Sequence, residues 1–89
     1  MEDKNTMLFF GLVYSLQMAT MQHLGKVKNP ASDTIERSLP DAEATIDMLE
    51  MLYAKMKGNL TAEEERLLTH VLQELKLNYV DELSKEPKQ

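Results

Sequence analysis

Cysteine is absent from the 89-residue sequence, which excludes both disulfide staples and thiolate-ligated zinc. Glycine occurs only at Gly11, Gly25 and Gly58, too sparsely for a phosphate-cradling loop. Nucleophile motifs and clustered metal ligands are missing as well, so no catalytic residue, cofactor or metal is assigned. Cations are in the minority: ten Lys and Arg stand against fifteen Asp and Glu, for a net charge of −5. Phosphate contacts need a basic face, so nucleic acid is excluded as a partner. The acidity fits a cytoplasmic protein. The start, Glu2-Asp3-Lys4, lacks the basic lead and small-residue cleavage site of a signal peptide.

The most telling absence is local. Charged residues make up 28% of the chain, yet none lies between Lys4 and Lys26. That gap holds Met7, Leu8, Phe9, Phe10, Leu12, Val13, Tyr14, Leu16, Met18, Ala19, Met21 and Leu24. At helical spacing they cover nearly the whole circumference, and a helix apolar all round must be buried all round. A membrane span needs about 20 mostly apolar residues. Ser15, Gln17, Thr20, Gln22 and His23 interrupt this run, so a span is not expected. A chain of this length buries only roughly 60–65% of its unfolded surface, so its own core can cover one side of such a helix. Small scaffolds without staples often gain stability by oligomerising.

One domain is expected over residues 1–89, with helices at about 6–24, 39–57 and 62–83. Asn5 or Thr6 is the candidate cap of helix one, and Gly25 its stop. Residues 25–38 read as a polar linker with a turn at Asn29-Pro30. The preferred reading is a mobile loop; the alternative crosses one end of the bundle, anchored by Val27 and Ile35. Ser38 with Asp41 three residues on is a capping-box pattern before helix two. Ala42, Ile46, Leu49, Tyr53 and Met56 form the main stripe of that helix, while Met48 and Met51 extend its apolar arc outward. Gly58 reads as an αL stop, and Thr61 with Glu64 as a full capping box. So short a connection forces helices two and three into an antiparallel hairpin. Leu67, Leu68, Val71, Leu72, Leu75, Tyr79 and Leu83 share one broad face of helix three, with Leu77 and Val80 off it. Residues 84–89 read as a frayed tail.

Remaining candidates for chemistry are weak. Asn59-Leu60-Thr61 matches a glycosylation acceptor but reads better as a turn and a cap. His23 and His70 lack the preceding glutamate of a helical di-metal site. Met7, Met18, Met21, Met48, Met51 and Met56 are a heavy methionine load, suited to adaptable binding surfaces or to core filling. Gly11, Ser15 and Ala19 recur every four residues on one side of helix one, a spacing that lets two helix backbones approach.

At the hairpin the chain resembles a known family. The residues that carry the resemblance are Ile46-Asp47-Met48-Leu49-Glu50-Met51-Leu52 and the run from Lys55 through Lys57-Gly58-Asn59-Leu60-Thr61 to Glu63-Glu64-Glu65 and Leu67-Leu68. Leu72, Glu74, Leu75, Tyr79 and Val80 add to it, as do His23-Leu24-Gly25 and Leu39-Pro40. The family is one of small bacterial helical proteins described only as a domain of unknown function, number eighteen forty-four. Its pattern often has arginine near positions 76 and 78, where this chain has Lys76 and Asn78. The resemblance implies a small helical cytoplasmic protein and supplies no activity.

The expectation is therefore an all-α fold: helix one packed on an antiparallel helical hairpin, completed by oligomerisation. The expected function is a non-enzymatic interaction or adaptor module whose partner is itself, or an unidentified protein. The alternative is a small-molecule or lipid binder, and a metal-dependent enzyme ranks last. Phe9, Gly11, Val13, Ser15, Ala19, Met48 and Met51 are the candidate interface. Ser38, Gly58, Thr61 and Glu64 are the structural caps.

Overall fold

The computed structural model describes residues 3–85. Among these residues the chain forms three helices: α1 (Lys4–His23), α2 (Leu39–Met56) and α3 (Ala62–Leu83). The start of α1 bonds to the start of α3, and its end bonds to the linker side of α2, so α1 and α3 run parallel with α2 antiparallel to both.

Helix boundaries follow from local chemistry. The cap of α1 is Asp3, not Asn5 or Thr6: its carboxylate accepts the Thr6 N–H at 2.8 Å, so the helix starts two residues early. At its end, Gly25 takes φ +79°, the Gly25 N–H reaches the Gln22 carbonyl and the Lys26 N–H reaches that of Met21. These two bonds are a Schellman stop.

Ser38 caps α2 by accepting from the Asp41 N–H at 3.4 Å, with Pro40 in the first turn. The reciprocal half of the box is replaced. The Ser38 N–H donates to the His23 carbonyl at 2.7 Å, tying the end of α1 to the start of α2.

Gly58 sits at φ +89° but in a different motif from an αL helix stop. Lys57 is extended (φ −57°, ψ 129°) and the Asn59 N–H donates to the Met56 carbonyl at 2.8 Å. That is a type II turn, which requires positive φ at its third residue. Thr61 then caps α3: its hydroxyl accepts from the Glu64 N–H at 3.1 Å, and its own N–H donates to the Glu64 carboxylate at 2.8 Å.

The core is built from Phe9 and Val13 of α1, Ile46 and Leu49 of α2, and Leu68, Val71, Leu72 and Leu75 of α3. A smaller cluster of Leu24, Leu39 and Ala42 closes the end where α1 hands over to α2. Leu83, expected on the core face, is half exposed at the end of α3; of the tail expected to fray, residues 86–89 lie outside the described residues. Polar groups inside are satisfied. Thr20 and Thr45 meet across α1 and α2 with hydroxyl oxygens 2.7 Å apart, and both also reach backbone carbonyls of their own helices. Among the described residues no buried side-chain polar atom lacks a partner, as native interiors require.

The linker carries its own hydrogen bonds. Asn29 organises it: the Asn29 carbonyl accepts from the Ser32 and Asp33 N–H groups, and its side chain accepts from Ala31 N–H and donates to Glu36. The Glu36 carboxyl is held below its usual range by hydroxyl and amide donors from Ser32, Asn29 and Thr34. The linker does cross the bundle end, but its anchors are ionic. Ile35 is exposed, and Lys26 and Arg37 both reach the Glu82 carboxylate, at 2.8 and 2.9 Å.

Candidate assembly surface

Two of the seven candidate interface residues are not on the surface. Val13 is fully buried and Phe9 is 8% exposed; both face the hairpin. A side chain already covered by its own chain has nothing left to offer a partner, so Phe9 and Val13 belong to the core. Because α1 is apolar all round, sequence periodicity could not set its rotation.

The opposite side of α1 carries the surface. Met7 and Tyr14 are 58% and 62% exposed, and Leu8 and Leu12 on the other flank are 60% and 47% exposed. At 3.6 residues per turn these pairs form two ridges with Gly11 and Ser15 between them. Ala19 continues the small strip one turn later and is half-buried. The Ser15 hydroxyl donates to the Gly11 carbonyl at 2.9 Å, so its proton needs no water. A Cβ built on Gly11 meets nothing within 4 Å. The protomer's own packing therefore does not need a glycine there, although one inside a helix costs roughly 0.5–1 kcal/mol relative to alanine.

Met48 and Met51 are each 48% exposed on α2. Thr45 turns toward α1 through its bond to Thr20, and Met48 lies on the flank just beyond it. The surface of α1 thus extends onto α2 on one side.

On the other side it runs into an open groove of about 630 Å3 between α1 and α3. Phe10 and Tyr14 form one wall and Leu67 the other, with the buried Val13 and Val71 beneath them. Glu63, Arg66 and His70 make a polar rim on α3. Gln17 lines the groove from α1 and donates to Glu74 at 2.9 Å. The alternative reading of the sequence implies an apolar cavity between helices but names none of its lining residues; Leu67, slightly off the central stripe of α3, is the signal for it.

Two carboxylates are buried at the phase of the α3 core stripe, one at each end: Glu64, read from the sequence as a cap, and Glu82, which was missed. Glu64 caps its own helix and accepts the Thr6 hydroxyl at 2.8 Å, pinning the start of α1. The Thr61 backbone N–H and then the Thr6 hydroxyl hold its carboxyl below the usual range. Glu82 takes Lys26, Lys85 and Arg37 together, and these three donors, Lys26 first, lower its carboxyl from 4.5 to about 2. The same contact raises Lys26. These carboxylates are structural clasps: their oxygens are occupied by partners of the same chain.

Among the described residues no group of three or more His, Cys, Asp or Glu side chains is placed to hold a metal. Among them, too, no helix is long and apolar enough to cross a membrane.

The fold and its surface define a small three-helix protein with one unmatched apolar helix face. The chain belongs to the family described as domain of unknown function (DUF1844), whose model matches residues 6–81. No curated protein and no solved structure matches the chain.

Proposed function

We propose that this protein is a non-enzymatic interaction module of the cytoplasm that works as a homo-oligomer, joined through the outer face of α1. The observation that supports this most is Gly11. It is a glycine the protomer does not need, centred between the Met7–Tyr14 and Leu8–Leu12 ridges in a stretch without charge. Met7, Leu8, Leu12 and Tyr14 on the two ridges are each about half exposed or more, and contiguous exposed apolar side chains mark an interaction surface. Self-association suits a chain of net charge −5, because the joined faces carry none of that charge. Light scattering at micromolar concentration tests the reading. The wild type is expected at twice the protomer mass or more, and Leu12→Lys at a lower mass with unchanged helix content. A wild-type monomer throughout that range would refute it.

A second reading, an apolar small-molecule or lipid binder, is favoured by the 630 Å3 groove, which lies within the usual size range of ligand pockets.

A further inference from the structure

We infer that the α1–α3 groove takes a single-chain amphiphile with one negative charge, a fatty-acid carboxylate, its tail between the helices and its head on Arg66 and His70. This rests on the ligand-binding reading of the groove and adds the ligand's shape and charge.

Shape is the first argument. The groove holds about 630 Å3, within the usual range for ligand pockets. The Thr6–Glu64 and Gln17–Glu74 bonds keep α1 and α3 side by side and in step along it. Its lining runs from Phe10 to Gln17 on α1 and from Glu63 to Val71 on α3. At a rise of 1.5 Å per residue that is a trough roughly 10–12 Å long. An unbranched chain lying parallel to the helices fits it, against Phe10 and Tyr14 on one side and Leu67 on the other.

Charge is the second argument. Arg66 and His70 stand four residues apart on the α3 rim, so both side chains reach the same stretch of it. The sequence has two arginines. Arg37 is committed to Glu82. Arg66 follows three glutamates, yet it has no ion pair or side-chain hydrogen bond among the described residues. Its guanidinium matches the two oxygens of a carboxylate, and His70 adds an N–H donor.

The acids nearby limit the head. Glu63 stands at one end of the rim, and Glu74, bonded to Gln17, lies beyond the other. Two donors between them favour an anion, while the flanking carboxylates repel a head that carries two charges, such as a phosphate monoester.

NMR titration of the full chain at pH 7 with decanoate, decanol and decyl phosphate, each below its micelle concentration, tests this. Decanoate is expected to shift the amides of Phe10, Tyr14, Leu67 and His70. It should bind at least about threefold more tightly than either of the others, the scale of an exposed charged pair. Arg66 is exposed, so Arg66→Gln is expected to keep the fold and to bind decanoate and decanol alike. Three results would each overturn the inference and leave an apolar ligand in the groove standing: equal affinity of the wild type for decanoate and decanol, decyl phosphate bound as tightly as decanoate, or a decanoate preference that survives Arg66→Gln. No shift at the groove with any of the three probes would overturn the ligand reading as well.

Discussion

At the scale of single residues, a few backbone positions and clasps hold the bundle. Thr61→Ala removes one half of a reciprocal cap and is expected to cost about 1 kcal/mol in chemical denaturation. Gly58 occupies the left-handed region at φ +89°, so Gly58→Val is expected to destabilise by at least as much, although the space around it is open. The clasp at Glu82 sets an acid limit. Its carboxyl titrates at about 2 in the folded chain against 4.5 ordinarily. A lowered carboxylate contributes stability that is fully present above its unfolded value and is lost as pH falls through the folded one. Stability should therefore fall between about pH 5 and pH 2, and Glu82→Gln should flatten that slope in denaturation curves taken across the range. An unchanged slope would mean that Lys26, Lys85 and Arg37 contribute nothing through this group.

At the scale of helices, what was readable from sequence depends on whether the signal is local. The hairpin of α2 and α3 is written in seven consecutive residues from Lys57 to Glu63 and in Glu64, because a tight turn and a cap need specific side chains at fixed offsets. The stripe Ala42–Ile46–Leu49 was readable because charged residues mark the other side of α2. Helix α1 lacks such markers, so its existence was plain and its rotation was not; Phe9 and Val13 fell on the wrong side for that reason. The linker's anchors were not readable because they are long-range ion pairs, and no local pattern announces that Arg37 will meet Glu82. The corrected rotation has a sharp consequence for neighbouring positions. Val13→Lys places a charge in the core and is expected to unfold the chain. Leu12→Lys, one residue earlier, places it on the outer ridge and is expected to leave the fold intact. Comparing their helix content by circular dichroism checks the rotation: equal tolerance of both substitutions would show that α1 is turned differently.

At the scale of the whole molecule, a short chain with a thin core leaves one helix half covered. The buried side of α1 binds the hairpin through Phe9, Val13 and the Thr20–Thr45 pair; the outer side has ridges, a small-residue strip and no charge. The proposed assembly of copies would remove this surface from water without requiring a charged counterpart. It also accounts for Gly11, which otherwise weakens α1 for no internal gain. Sedimentation equilibrium of Gly11→Leu beside the wild type tests this most directly. Leucine favours the helix by nearly 1 kcal/mol over glycine, and a Cβ at this exposed position meets nothing within 4 Å, so the single chain should be at least as stable as before. If two α1 helices cross at Gly11, the same substitution forces them apart, and the expected result is a well-folded variant that associates more weakly than the wild type. A variant that associates as tightly as the wild type, or a wild type that stays monomeric, would contradict assembly through this face.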